Sequence, residues 1–339
     1  MLQIKNLTKS FGDRTLYKNV NLEINKNDKI GLVGLNGSGK STFLNILSGK
    51  DLADDGEICW AGKHTLGVLD QHAEINPEQT LLEYLASSFS ELFEKERRAN
   101  DLFLRAGEES ENSEQLIAKG CAILDELTVL GFYEIDSKIK KIAGGLGFSP
   151  EKLEQKVATL SGGQRAKIIL CKLLLDEPDL MILDEPTNHL DVNNVEWLRG
   201  YLAGYKKAVL LVSHDSSFLD AVCNVIWSVE FYEIRRYSGN YSQFLRQHEQ
   251  NIETYNREYE RQQEKIAKLE DYIAKNRVRT ATARQAQSRQ KALDKIEVMD
   301  KIEDPPIPQL NFAYKSAPTD VAIWLKISLA VMTTFYNRG

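Results

Sequence analysis

Cysteine is scarce: Cys59, Cys121, Cys171 and Cys223 stand far apart in 339 residues and never form a C-x-x-C pair. Neither a disulfide framework nor a zinc site is indicated, and the four read as ordinary reduced thiols. Long hydrophobic runs are missing too. The best candidate, Val321 to Met332, is broken by Lys326 and Ser328 and falls short of the roughly 18 apolar residues that cross a bilayer. The amino terminus, MLQIKNLTKSFG, alternates like a strand and lacks the basic and apolar segments of a secretory signal. A cytoplasmic location is therefore expected. No basic excess exists, since 43 Lys+Arg face 49 Asp+Glu for a net charge of −6; the chain as a whole does not advertise nucleic-acid binding. What is present is 42% hydrophobic residues, enough for true cores in a length of about two domains of ~150 residues each.

Residues 1 to about 33 alternate short apolar runs with turn signals and end in the buried-strand run Ile30-Gly31-Leu32-Val33. From Glu78 to Gly144 the pattern is helical and polar, and the charge-dense stretch Glu91 to Glu114 reads as a solvated helix pair or its loop. From Leu160 to Asn224 strands and helices alternate again, with the apolar runs Leu180–Leu183 and Val209–Val212 each followed by polar residues. That order implies parallel strands with crossover helices, an α/β core interrupted by a helical insertion. Between residues 246 and 302 Gly, Pro and Cys vanish. Ile252, Tyr259, Ile266 and Ile273 recur every seven residues, with Tyr255, Gln262 and Leu269 three positions behind, which predicts a coiled-coil seam. A thinner return stripe, Ala286, Leu293, Ile296 and Met299, leads to the helix-breaking run Asp304-Pro305-Pro306-Ile307-Pro308.

Gly34-Leu35-Asn36-Gly37-Ser38-Gly39-Lys40-Ser41 fits G-x-x-x-x-G-K-[ST] between a predicted strand and a predicted helix, the context the motif requires. Its glycines let backbone N–H groups point at a polyphosphate, and the helix start adds its positive dipole end. Lys40 would neutralise the β- and γ-phosphates and the Ser41 hydroxyl would ligate Mg²⁺. Asp184 and Glu185 close an apolar strand and so emerge at the carboxyl edge of the sheet, where ligands bind. One acid can orient the metal while its neighbour polarises the attacking water. His214 follows the next apolar strand, which would deliver it beside the same γ-phosphate. Leu160-Ser161-Gly162-Gly163-Gln164 offers bare N–H groups, a hydroxyl and a helix amino terminus to an anion.

The ordered series Gly34–Ser41, Gln71, Leu160–Gln164, Leu180–Glu185, Asn188–Asp191 and His214 resembles the nucleotide-binding domain of ATP-binding-cassette proteins. The resemblance implies that Gly34 to Thr42 is the Walker A loop and that Gln71 is the Q-loop glutamine contacting Mg²⁺ and water. It makes Ser161, Gly162, Gly163 and Gln164 the signature, Asp184 the Walker B metal ligand, Glu185 the catalytic carboxylate, Asp191 part of the D-loop and His214 the switch histidine. Phe11 is the candidate to stack on adenine; Tyr17 competes, and spacing does not decide. The continuation Thr187-Asn188-His189-Leu190-Asp191 and the charged helical stretch after the cassette are similar more narrowly to the ABC-F family. The fold so implied is α/β, a P-loop NTPase cassette with a mixed sheet core over 1–240 and a helical subdomain at about 73–175. An antiparallel α-helical hairpin at 241–303 and the incomplete start of a second cassette at 304–339 follow. ATP and Mg²⁺ are the implied ligands and the ribosome, through tRNA or rRNA, the implied partner.

Between Lys275 and Lys291 six residues are basic (Lys275, Arg277, Arg279, Arg284, Arg289, Lys291) and none is acidic. A one-signed tip on an acidic protein fits RNA phosphates. In the family each ATP lies between the Walker A loop of one cassette and the signature of another, so this chain is expected to carry halves of two composite sites, completed in cis or in trans. Leu310–Tyr314 looks like the opening strand of a second cassette, and a truncated second cassette is the expectation for the tail.

Overall fold

The computed structural model describes residues 1–276 other than 13, 71, 72, 74, 109–111 and 231, together with 288–291 and 293. It contains two sheets. Strands β1 (Leu2–Phe11) and β2 (Arg14–Ile24) form an antiparallel pair, and β4 (Asp55–Trp60) adds to the other edge of β1. The second sheet is built from β3 (Lys29–Gly34), β5 (Leu66–Val68), β6 (Leu180–Asp184), β7 (Ala208–Val212), β8 (Val225–Glu230) and β9 (Glu233–Ser238) in the order β5-β6-β7-β3-β8-β9. Its first five strands are parallel, as the alternation implies, and β9 returns antiparallel to β8, so the mixed sheet implied by the resemblance is present.

Strand side chains alternate between two cores, as the period of two requires. Leu180, Ile182, Leu210 and Trp227 face a core shared with Phe43, Leu44 and Leu47 of α1 (Lys40–Leu47) and with the inner side of the antiparallel sheet, Leu2, Ile4 and Tyr17. Met181, Leu183, Val209, Leu211 and Ile226 face the opposite way. There they meet α6 (Gly162–Asp176), α7 (Val192–Gly204) and α8 (Ser216–Val222). Both faces of the parallel strands are therefore covered, which explains why these strands read as unbroken apolar runs. All four cysteines are free. Burial pushes the Cys171 and Cys223 thiols up, which keeps them protonated and inert.

The helical insertion comprises α2 (Leu81–Ala86), α3 (Ser90–Glu108), α4 (Ser113–Val129) and α5 (Ile135–Gly145) ahead of α6. A capping box opens α2: the Thr80 hydroxyl accepts from the Glu83 N–H at 3.1 Å and the Glu83 carboxylate accepts from the Thr80 N–H at 2.8 Å. The charge-dense stretch forms the solvated part of the α3/α4 pair. Helix α5 approaches α7 so closely that a Cβ on Gly145 would lie 2.0 Å from the Trp197 ring, so no larger residue fits there.

Helix α9 (Tyr241–Asn276) begins on the first compact unit, Met1–Ile252. The reason is packing. Phe244 is buried with its ring 5.0 Å from Tyr237, and the His248 ring bonds Glu230 at 2.9 Å. In the second unit, and at Ile252 just before it, Tyr255, Tyr259, Gln262, Ile266, Leu269 and Ile273 are half-buried where most neighbours are exposed, the seam that the heptads predict. The Arg289 guanidinium lies 3.5 Å over the Tyr272 ring and so packs the helical residues Ser288–Lys291 onto α9. Ala286, Ile296, Met299 and the expected second-cassette segment 304–339 lie outside the described residues. Among the described residues no helix is long and apolar enough to cross a membrane.

Phe43 joins the parts of this fold that hold the glycine-rich loop, since its ring meets Tyr17 at 5.8 Å and Trp227 at 6.0 Å, both edge-on. Phe43→Ala is expected to cost about 3–5 kcal/mol of stability. Leu52→Ala, at a side chain that is 79% exposed, should stay within about 0.5 kcal/mol. Urea denaturation midpoints compare them; equal midpoints would contradict the assignment.

Candidate active site

The loop from Gly34 to Lys40 links β3 to α1. Gly39 caps the helix with φ +99°, and a Cβ there would sit 2.9 Å from Leu16 Cδ1, so the turn admits glycine alone. Helix α1 begins at Lys40 and directs its unsatisfied first-turn N–H groups into the cradle. Lys40 folds over the loop, its ammonium donating to the carbonyls of Gly34 at 2.8 Å and Leu35 at 3.1 Å. Burial pulls its pKa below the ordinary lysine value, against the opposing pull of Glu185 and Asp184. Asn36, Gly37 and Ser41 are exposed; Ser38 and Thr42 are half-buried. Arg14 braces the loop from β2, donating to the Gly37 carbonyl at 3.0 Å.

The carboxylates arrive from the neighbouring strands. In the parallel β6/β7 register Asp184 pairs with Val212, so Glu185 and His214 emerge side by side just beyond it. The Ser41 hydroxyl donates to Asp184 Oδ2 at 3.4 Å. Glu185 takes a left-handed backbone, φ +46°, held by its N–H bonding to the Val212 carbonyl at 2.9 Å. Its Oε2 accepts from the His214 N–H at 3.4 Å and its Oε1 lies 3.4 Å from His214 Nε2. Asp215 fixes the histidine from behind by capping α8, accepting from the N–H groups of Ser217 and Phe218 at 2.9 and 3.1 Å. Burial pushes the Glu185 carboxyl up; the His214 and Lys40 charges work against the rise and Asp184 adds to it.

The signature residues lie at the start of α6, on the other face of the sheet from α1. Ser161 and Gln164 form a capping box, with bonds of 3.3 Å to the Ser161 hydroxyl and 3.0 Å to the Gln164 carboxamide oxygen. Gly162 and Gly163 occupy the first turn. Asp191 caps α7: its two oxygens accept from the Asn194 N–H at 3.0 Å and the Asn194 carboxamide at 2.8 Å, and Lys167 of α6 lies 3.8 Å away. Arg165 of the same helix donates to the Ala73 carbonyl at 3.0 Å. Gln71 itself lies outside the described residues. The contacts of Arg14, Arg165 and Lys167 have no sequence signal, whereas Asp191-x-x-Asn194 and Asp215-x-x-Phe218 carry the cap pattern.

Of the two aromatic candidates, Tyr17 is wholly buried beneath Phe43, which removes it from ligand contact. Phe11 is 54% exposed and pairs across the hairpin with Arg14. At the basic tip, Lys275 pairs with Asp271 at 2.8 Å, Arg289 is engaged by Tyr272, and Lys291 is exposed; Arg277, Arg279 and Arg284 lie outside the described residues.

Among the described residues, the buried oxygens without a hydrogen-bond partner include Ser38 Oγ and Glu185 Oε1. Both border the cradle, and together with the Ser41/Asp184 oxygen pair they fit a nucleotide polyphosphate with a hard divalent cation.

Because the Glu185 carboxyl is raised above its ordinary 4.5, the folded chain holds that proton more tightly than the unfolded one. Stability from this group is complete below the unfolded value and declines as pH rises through the raised value. Glu185→Gln removes the decline, so its urea midpoint should gain on the unsubstituted chain as pH rises above 4.5. A difference that does not change with pH would contradict the burial effect.

A family model described as ABC transporter matches residues 17–188, and a second model of the same description matches 227–312. The uncharacterized ABC transporter ATP-binding protein YfmM of Bacillus subtilis is 41% identical, over 92% of this chain and 60% of its own length. ABC transporter F family member 5 of Arabidopsis thaliana is 35% identical, over 90% of this chain and 44% of its own. The probable ATP-binding protein YheS of Escherichia coli K12 is 37% identical, over 85% and 44%. The chain thus spans about half the length of the curated relatives it matches. A solved ATP-binding subunit of an ABC transporter shares the fold at TM-score 0.52 and 18% identity, over 70% of this chain and 90% of its own. The chain belongs to the ATP-binding-cassette family, in its ABC-F branch.

Proposed function

We propose that the cassette hydrolyses ATP and uses the cycle to engage and release the ribosome in the cytoplasm. The observation that carries the hydrolytic part is the convergence of Lys40, Ser41, Asp184, Glu185 and His214 on the one loop, with Glu185 3.4 Å from the His214 ring. Lys40 leaves the Gly34 and Leu35 carbonyls to bind the β- and γ-phosphates, and the N–H groups of α1 hold the same charge. Ser41 and Asp184 hold Mg²⁺, which when bound neutralises phosphate charge. Glu185 accepts the proton of the attacking water, its raised pKa making it a better base. His214 keeps the Glu185 carboxylate oriented and donates toward the γ-phosphate. Gln71 would complete the metal and water contacts.

A second cassette is part of this reading. Helix α1 and the signature helix α6 lie on opposite faces of the sheet, which supports a signature supplied to each loop by the facing cassette. Ser161, Gly162, Gly163 and Gln164 then cap the γ-phosphate bound by the partner, with Asp191 bracing the seam.

The ribosomal part rests on the long charged helix α9 and the basic run that follows it in sequence. A solvated stalk bearing Lys275, Arg277, Arg279, Arg284, Arg289 and Lys291 suits entry into a groove of folded RNA, with phosphates as the main contacts. A permease-coupling cassette has no evident use for such a stalk, so the transporter reading is less favoured. With Arg289 packed on Tyr272 and Lys275 paired with Asp271, the weight of RNA contact falls on Arg277, Arg279, Arg284 and Lys291.

Two outcomes are expected. Glu185→Gln should bind ATP yet lose turnover by roughly 10²- to 10⁴-fold, and the turnover per molecule of the unsubstituted chain should rise with protein concentration; near-normal turnover in the variant would remove Glu185 from its role. In ATP, Glu185→Gln should co-sediment with 70S ribosomes, and adding Arg277→Ala, Arg279→Ala and Arg284→Ala should release it. Binding that ignores the arginines would contradict the tip assignment.

A further inference from the structure

The glycine-rich loop carries the chain's single Asn-Gly pair, Asn36-Gly37, and the fold leaves both residues open. Each is exposed. Among the described residues neither the Asn36 carboxamide nor the Gly37 N–H makes a hydrogen bond, and the pair's one bond is at the Gly37 carbonyl, which accepts from Arg14 at 3.0 Å. Asparagines elsewhere are tied down: the carboxamides of Asn21, Asn194 and Asn224 all donate to protein oxygens. Gly37 lies at φ +76°, where a side chain is rarely tolerated, so the loop requires glycine after Asn36. Its surroundings are empty, since a Cβ there would meet nothing nearer than Arg14 Nη2 at 3.8 Å. Two cations bracket the peptide bond between the pair. Lys40 donates to the Leu35 carbonyl at 3.1 Å on one side and Arg14 to the Gly37 carbonyl on the other, and the amino end of α1 adds to the same positive field.

We propose that Asn36 is a site of spontaneous deamidation that disables the empty phosphate cradle and that bound nucleotide prevents; the protection rests on the nucleotide-binding reading above. The nucleophile is the Gly37 backbone nitrogen after loss of its proton, an anion that neighbouring positive charge favours. It attacks Asn36 Cγ. The new N–C bond closes a five-membered succinimide, the bond from Cγ to the carboxamide nitrogen breaks, and ammonia leaves carrying the proton that Gly37 gave up. Water, the only co-reactant, then opens the ring at either carbonyl. The products are aspartate at position 36 or an isoaspartyl linkage with one more methylene in the backbone. Both place a carboxylate where the loop must hold phosphate, and like charges repel. The isoaspartyl form also displaces the N–H groups that follow it. A bound polyphosphate opposes the reaction twice, by engaging the loop N–H groups as acceptor and by disfavouring a second anion beside it.

The test is a time course of the full chain in mildly alkaline buffer, with and without Mg²⁺-ADP, read by peptide mass spectrometry and by Mg²⁺-ATP binding of the aged samples. The amide-to-acid mass gain should accumulate at Asn36 ahead of every other asparagine. Mg²⁺-ADP at about ten times its Kd should slow it about tenfold, the factor by which the free chain is depleted. Capacity to bind ATP should fall in step with the mass gain. In Asn36→Gln, whose longer side chain closes a ring far more slowly, that capacity should hold steady over the same period whatever its starting value. Asn36→Asp should bind Mg²⁺-ATP at least about tenfold more weakly than the unsubstituted chain. No gain at Asn36, an equal rate of gain in the ADP-saturated chain, or an aged chain that binds ATP as the fresh one does would overturn the proposal. A fresh chain that binds neither ADP nor ATP would instead overturn the nucleotide-binding reading beneath it.

Discussion

One backbone hydrogen bond organises the site: the Glu185 N–H on the Val212 carbonyl, 2.9 Å. It extends the β6/β7 ladder by one residue and turns Glu185 into the left-handed region, φ +46°, a conformation that a glutamate adopts only when its surroundings impose it. The turn takes the carboxylate off the strand direction and sets it against His214. The ordering continues behind the histidine, where Asp215 caps α8, so Glu185 and His214 are both fixed by main-chain geometry. A site held on strand ends in this way keeps its spacing without help from long flexible side chains.

The second constraint is the two-faced sheet. Because alternate residues of β6, β7 and β8 feed opposite cores, helices α1 and α6 are separated by the sheet that supports them both. The amino termini of α6 and α7 are finished as local structure, α6 by its own capping box and α7 by Asp191. The Ser161 hydroxyl, Gln164 carboxamide and Asp191 carboxylate therefore have structural duties before any ligand arrives, and ligand contact would reuse groups already oriented by helix caps.

Much of this was legible in the chain because it depends on local pattern. The glycine-rich loop needs a strand before it and a helix after it, and both show as apolar runs of the right length. Asp184, Glu185 and His214 follow such runs, so their arrival at one sheet edge followed from parallel pairing. The heptad seam of α9 is visible for the same reason. What was not legible is non-local. The strand order places β7 between β6 and β3, and no sequence spacing encodes that. Phe11 and Tyr17 are equivalent as aromatic residues ahead of the loop; only packing shows that Tyr17 lies beneath Phe43. That the first turns of α9 belong with the first compact unit depends on the burial of Phe244 against Tyr237. Arg14 reaches Gly37 across 23 positions of sequence, a contact fixed by the hairpin and by nothing in the motif itself.

On the proposed reading these features form a half-site: the glycine-rich loop with Glu185 on one face of the sheet, and the capped helix α6 on the other. The most direct measurement of that claim is the mass in solution of the Glu185→Gln chain by sedimentation equilibrium, with and without Mg²⁺-ATP. The account predicts a monomer without nucleotide and a dimer with it, the dimer being lost when Ser161 is changed to an arginine too bulky for the seam. A chain that remains monomeric with saturating Mg²⁺-ATP, while the unsubstituted form turns over ATP at a rate independent of concentration, would contradict it.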